Sequence, residues 1–489
     1  MSDVDTGVLL PEDDAGRRSS SAFGRAVVAD GLRAVDAAGA LGAEREGNWR
    51  TGYPVHFRRL LEAGLVSRTA AVQIATDGLA AVRDRMRFGA EDGEEIPLDS
   101  VAFDAARDPL ATATIPGGGE AEREFSLPLG GERLSGDALG RRLDEWVTAG
   151  VVEPSTADTV RTVMAHPEWL RLDGHTVVVL GAGAEMGPLP ALLRWGARVA
   201  AIDLPGPALW RRVVTAGRDR AGTLLLPVPP DHDGDPADAA GLDLLSDLAT
   251  AAEWIRGLDG RVVLGNYVYA DGVTNLRLAA AVDALADHLG GVIDDLALAF
   301  LATPTDVFAV PGEAVEQSHA AYEHRSRLGK VVGRPLRAVS GGRLLRRQYV
   351  TGAYPGVHDA LVAQQGPNYA LAKRLHRWRA TVARDAGATV SMNVAPPTRT
   401  RSVVKNRALA AAYAQAHRFS IEVFEPATAN TLMAALLVAD LHTGGGPAHE
   451  HPWQDEAHDA VHGGLWRGPY QPRSALGIAA VLGYGAART

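Results

Sequence analysis

Residues 175–203 read HTVVVLGAGAEMGPLPALLRWGARVAAID. The run from His175 to Leu180 is apolar almost throughout, the pattern of a strand buried on both faces of a parallel sheet. A glycine-rich turn follows, then a helix from about Pro188 to Trp195, then a second apolar strand that ends in Asp203. Such a turn needs glycines because the backbone must bend sharply and approach a diphosphate, whose charge sits among the amides of the helix start. An acid closing the second strand can accept both hydroxyls of a ribose. Three glycines alone say little, but strand, glycine turn, helix, strand and acid in that order predict a dinucleotide site. Its candidate contacts are Gly181, Ala182, Gly183, Glu185, Met186 and Gly187 in the turn, with Asp203 and Leu204 at the strand end. Asp203 would repel a 2′-phosphate, so NAD(H) is expected in preference to NADP(H).

Four more apolar runs follow: TLLLPV at 223–228, RVVLGNYV at 261–268, LALAFLAT at 296–303 and ATVSMNVA at 388–395, with helical patterns between them. Alternating strands and helices predict an α/β fold with a doubly wound parallel sheet, and a domain running from about 171 to 489. Upstream, residues 21–170 read as a mostly helical N-terminal domain, and the polar, acidic residues 1–20 as disordered. Two stretches there share a shape, HFRRLLEAGLVSRTAAVQIA at 56–75 and RRLDEWVTAGVVEPSTADTVRTVMA at 141–165. Each holds an amphipathic helix, an Ala-Gly turn, two apolar residues, and a Ser or Thr placed to cap a second helix. Counting from just before the later one, Leu139, Leu143, Trp146 and Val147 fall on one helical face. They read as two helical hairpins, with a degenerate repeat and chance likeness both open. Residues 88–130, with acids, prolines and Gly117–Gly119, read as a linker.

Composition narrows the function classes. The 489 residues are 46% hydrophobic, enough for a large core. With 59 acidic against 49 basic residues, no global positive field gathers nucleic acid. The chain has no Cys, which removes thiol nucleophiles, thiolate zinc sites and disulfides. The opening residues lack a secretory pattern and no apolar run reaches spanning length, so a cytoplasmic protein without a membrane span is expected.

The second chemical constellation is GPNYALAKRLHRW at 366–378. Tyr369 and Lys373 lie one helical turn apart, so an ammonium can lower the phenol's pKa and let it act as acid or base. A solvated helix pair has the same spacing, but here the strand ATVSMNVAPP follows. In these motifs the sequence resembles the short-chain dehydrogenase/reductase superfamily. The resemblance covers about residues 175–440 and implies a Rossmann sheet, hydride transfer with a nicotinamide cofactor, a small-molecule substrate, and a homodimer or homotetramer. It makes Tyr369 the acid or base and puts Lys373 on the ribose. Thr303 or Thr305, in LATPTDVF, would supply the hydroxyl of the family's serine, with Ser340 in LRAVSGG as rival if that stretch is the strand. Asn275 matches the helix asparagine that orders a relay water. Asn266 and Tyr267 fall at the family's Asn-Ala-Gly strand end, and Pro396 and Pro397 replace its Pro-Gly turn. Thr398 and Thr400 would meet the nicotinamide amide or the phosphates. Gly181 and Gly187 match the family's GxxxGxG, but Glu185 stands where the middle glycine belongs. A carboxylate facing a diphosphate is repulsive, so Glu185 must point away or cofactor binding is altered.

Thr303 and Tyr369 are 66 residues apart, which predicts an insertion at about 310–365. It carries Arg325, Arg327, Lys330, Arg334, Arg337, Arg343, Arg346 and Arg347 against Glu323, either a clamp for an anionic substrate or a solvated face. His442, His449, His451, His458 and His462, among acids, have spacings compatible with a divalent ion and equally with a flexible loop, and no metal is assigned. Trp466 and Tyr470 read as lid or subunit-contact residues. Two functions are therefore carried forward: an NAD(H)-dependent oxidoreductase acting on a carbonyl or alcohol, and an NAD-binding regulatory or scaffold protein without turnover.

Overall fold

The computed structural model describes residues 6–90, 92–104, 109–325, 335, 337–352 and 354–486. Its centre is a seven-stranded sheet built from β1 (Ala111–Pro116), β2 (His175–Leu180), β3 (Arg198–Ile202), β4 (Thr223–Val228), β5 (Arg261–Asn266), β6 (Ala297–Ala302) and β7 (Val390–Val394). The order across the sheet is β7-β6-β5-β2-β3-β4-β1. The six strands from β2 to β7 run parallel, and β1 closes one edge antiparallel to β4, with Ala111 opposite Val228. This is a Rossmann-like architecture, in which the order reverses between β2 and β5.

The continuous apolar runs exist because each strand feeds two cores. Val177 and Val179 of β2 point into one, Val178 and Leu180 into the other, and β3 divides its residues the same way. Against one face pack the helices Ser20–Arg33, Trp49–Gly64, Arg68–Arg85, Gly272–Val292 and Pro367–Asp385. Against the opposite face pack Gly136–Ala149, Pro154–Ala165, Leu189–Trp195, Pro207–Arg218 and Pro426–Thr443.

The N-terminal region is therefore helical as expected, yet it does not stand apart from the sheet. Part of the expected linker, 88–130, is β1 itself, and Gly7–Leu9 of the expected disordered terminus pairs with Arg87–Gly89. Both helical hairpins form, but they cover opposite faces. Ser67 caps the first, its hydroxyl accepting the Ala70 amide. The second has no hydroxyl cap: Glu153 occupies that position before Pro154, and the Thr156 hydroxyl donates instead to the Ala460 carbonyl.

The insertion forms a hairpin of Val307–Val310 with Gly356–Asp359 around the helix Gly312–Glu323. Arg327, Lys330 and Arg334 lie outside the described residues. Among the described residues, no helix is long and apolar enough to cross a membrane.

Candidate functional site

Where the chain leaves β2 for one face and β5 for the other, a doubly wound sheet opens a crevice at the carboxyl ends of its strands. Here that crevice is a cavity of about 350 Å3. Met186 enters it from the turn after β2, Asn266 and Tyr267 from the end of β5, Thr303 and Thr305 from the end of β6, and Pro396, Thr398 and Thr400 from the end of β7. Tyr369 and Lys373 come from the first turns of the helix that follows the insertion. Ser402, Val403, Asn406, Leu409 and Tyr413 form an outer wall. With Pro397, eleven of the residues singled out in the sequence thus share one cavity.

The hydroxyls of Thr303 and Thr305 are 3.0 Å apart, and Gln365 Nε2 donates to both the Thr305 carbonyl (2.9 Å) and its hydroxyl (2.8 Å). Burial pushes the Tyr369 phenol above its usual range, a Thr303 hydroxyl contact pulls it down, and the Asp306 carboxylate adds to the rise. The net direction is upward, opposite to the lowering expected from a neighbouring ammonium. Burial alone brings Lys373 down to about 8. Among the described residues lining the cavity, Lys373 is the only charged group. Asn266 Oδ1 is a buried acceptor with no hydrogen-bond partner among the described residues, and Gln365 Oε1 is another.

Below the two threonines lies a network that sequence reasoning missed. Asp306 accepts from Arg374 Nη2 (2.8 Å) and Arg377 Nη1 (2.6 Å), and Arg377 also donates to Glu456 (2.6 Å) and the Val307 carbonyl (2.9 Å). Asp306 and both arginines are buried, and the two guanidiniums hold the Asp306 carboxyl below its usual range although burial opposes them. The network ties the Thr303–Thr305 loop to the Tyr369 helix. Tyr269, Gln365 and Tyr413 were also missed. Tyr269 meets Tyr369 edge-on at 6.4 Å, and burial with an Asp271 hydrogen bond takes its phenol up to about 12. Lone aromatic or amide residues in a loop or an alanine-rich helix carry no spacing signal.

The glycine turn is built closely. Gly181 has φ +87°, and a Cβ there would lie 3.0 Å from the Tyr267 carbonyl oxygen; one at Gly183 would meet Leu209 at 2.9 Å. The Gly181 and Ala182 amides donate to Ile202, Ala184 to Gly181, and Gly187 to Ala184. Asp203 receives the Gly183 amide on one oxygen and the Leu204 amide on the other, both at 2.8 Å. A carboxylate has about four lone-pair sites, so these bonds leave it able to accept more. Among the described residues, the Glu185 and Met186 amides have no partner. The Glu185 carboxylate points away from the turn and accepts the Arg401 amide at 2.8 Å.

Several expectations are corrected. Asn275 does not line the cavity; its Oδ1 accepts the Ala270 amide at 3.0 Å and pins the loop after β5. Ser340 lies in a turn, bonded to the Arg337 carbonyl and the Leu344 amide. Three arginines of the insertion gather round Tyr322: Arg337 donates to its hydroxyl at 3.0 Å, and Arg325 and Arg347 stack on its ring. Neither these three nor Arg343 and Arg346 line the cavity. Trp466 is fully buried against His462, too deep for a lid or a subunit contact. His462 bonds Glu153 at 2.9 Å, His449 bonds Asp455 at 2.8 Å, His442 stacks on Trp169, and His451 caps a helix. Among the described residues, no group of three or more acids and histidines is arranged to hold a metal ion.

The chain matches no protein-family model and none of the curated proteins it was compared with.

Proposed function

We propose that this protein is an NAD(H)-dependent oxidoreductase of the short-chain dehydrogenase/reductase type, acting on a carbonyl or alcohol. The observation that carries the reading is the meeting of Tyr369, Thr303 and Lys373 at one cavity beneath the strand-order reversal, although 66 residues separate Thr303 from Tyr369. The residues present fit a dinucleotide. The close-packed glycines, the two unpartnered amides of Glu185 and Met186, and Asp203 beyond them suit a diphosphate and a ribose. Asn266 Oδ1 suits an amide or hydroxyl donor.

When bound, the nicotinamide supplies or accepts the hydride. The Tyr369 phenol delivers a proton to the substrate oxygen in reduction and takes it back in oxidation. Because burial keeps that phenol protonated at neutral pH, reduction is the direction for which it is ready. The Thr303 hydroxyl shares the same oxygen, and Thr305 and Gln365 hold it in place. Lys373 supplies the positive charge that favours the phenolate left behind.

The test is NADH oxidation against a panel of aldehydes and ketones. Tyr369→Phe is expected to lower kcat by at least ~100-fold, the usual range for losing a positioned acid, while NADH binding is retained. Equal turnover by the variant contradicts the assignment. A second reading, a dinucleotide-binding protein without turnover, is favoured by one observation: the buried Tyr369 phenol is raised rather than lowered. NADH binding with no turnover across the panel would support it.

A further inference from the structure

We infer that Arg401 is a diphosphate-binding residue of the dinucleotide site and that Glu185 is the partner it leaves to do so; the inference rests on the dinucleotide reading above. Glu185 sits in the glycine turn beside two amides, its own and that of Met186, that have no partner among the described residues. Its carboxylate faces the segment after β7, where it accepts the Arg401 amide at 2.8 Å and pairs with Arg401 Nε at 3.3 Å. Its carbonyl accepts Asn430 Nδ2 at 3.3 Å, which fixes the residue from the other side. The Arg401 side chain is 72% exposed, and among the described residues Glu185 is the only acid paired with it.

An exposed pair of this kind contributes little, because water competes for both ions. A diphosphate arriving at the Glu185 and Met186 amides brings two charges and a geometry that a guanidinium meets with two parallel hydrogen bonds. It therefore takes Arg401 from the single carboxylate. The exchange also gives Glu185 a physical reason to stand where a repulsive charge would otherwise exclude the cofactor. The acid keeps an arginine at the edge of the turn, and the pair together adds no net charge.

The test is fluorescence titration of the full chain with NADH, with ADP-ribose as a diphosphate probe lacking nicotinamide, and with adenosine as a probe lacking phosphate. Arg401→Gln is expected to weaken NADH and ADP-ribose about tenfold, one charge-assisted contact's worth, and to leave adenosine unchanged. Arg401→Lys is expected to recover only part of the affinity lost in Arg401→Gln, since an ammonium restores the charge but not the two parallel hydrogen bonds. Glu185→Gln is expected to tighten NADH several-fold, because it removes both the competitor and the repulsion. Unchanged NADH affinity in Arg401→Gln, or weaker binding in Glu185→Gln, would overturn the inference while leaving the dinucleotide reading standing. Absence of NADH and ADP-ribose binding in the wild type would overturn that reading itself, and the inference with it.

Discussion

Lys373 owes its depressed pKa to one cause, burial among uncharged groups, and this gives a direct prediction. Its folded value of about 8 lies below that of a free lysine, so the ammonium is charged at pH 7 and lost as pH rises through about 8. With it goes the charge that stabilises a Tyr369 phenolate. kcat/KM for reduction is expected to fall along an alkaline limb near pH 8, and Lys373→Met is expected to be slow with that limb absent. An unaltered limb in the variant would assign it to another group. The Tyr369 and Lys373 pair was legible because helical spacing is local: four residues along a helix share a face whatever surrounds them. The direction of the Tyr369 shift was not, since it is set by burial and by Asp306, groups that arrive from elsewhere in the chain. Asn275 was misread for a related reason. An asparagine near a helix start can cap a loop as readily as order a water, and spacing does not separate the two.

At the scale of elements, the loop after β6 and the Tyr369 helix are held by buried charges rather than by contact alone. Removing Asp306 leaves Arg374 and Arg377 buried, with Glu456 directly paired to Arg377 alone. Breaking a buried pair in this way costs about 3–5 kcal/mol. Asp306→Ala is expected to lower the unfolding free energy by that amount in a denaturant titration, whereas a loss below about 1 kcal/mol would show that the network is dispensable. The strands were legible because each is a continuous apolar run serving two cores. Arg374 and Arg377 escaped notice because basic residues on a helix usually face water, and only the approach of Asp306 from 68 residues upstream makes them interior.

For the whole molecule, the boundary expected near residue 170 marks a change in sequence pattern and not a division of the fold. β1 supplies an edge strand from before that point, and the upstream helices fill both cores. Edge pairing between strands more than 100 residues apart has no local signature, so β1 read as linker. A chain beginning at residue 171 is expected to fail to fold, with no cooperative thermal transition by circular dichroism; a native-like transition would restore the two-domain division. The parallel strands of the sheet were legible as apolar runs alternating with helical patterns, and the glycine turn from its place between strand and acid in residues 175–203. The placement of the insertion's arginines was not, because Arg325, Arg337 and Arg347 turn toward Tyr322 through contacts that composition does not reveal.

In the proposed site the glycine turn and Asp203 bind the adenosine half of NAD(H), while the β5 and β6 ends receive the nicotinamide. The most direct measurement is a titration of wild type and Asp203→Ala with NADH and NADPH, following nicotinamide fluorescence. The wild type is expected to bind NADH in preference to NADPH, and Asp203→Ala to weaken NADH about tenfold or more through loss of the ribose contacts. No binding of either nucleotide by the wild type, or NADH affinity unchanged in the variant, would contradict this assignment.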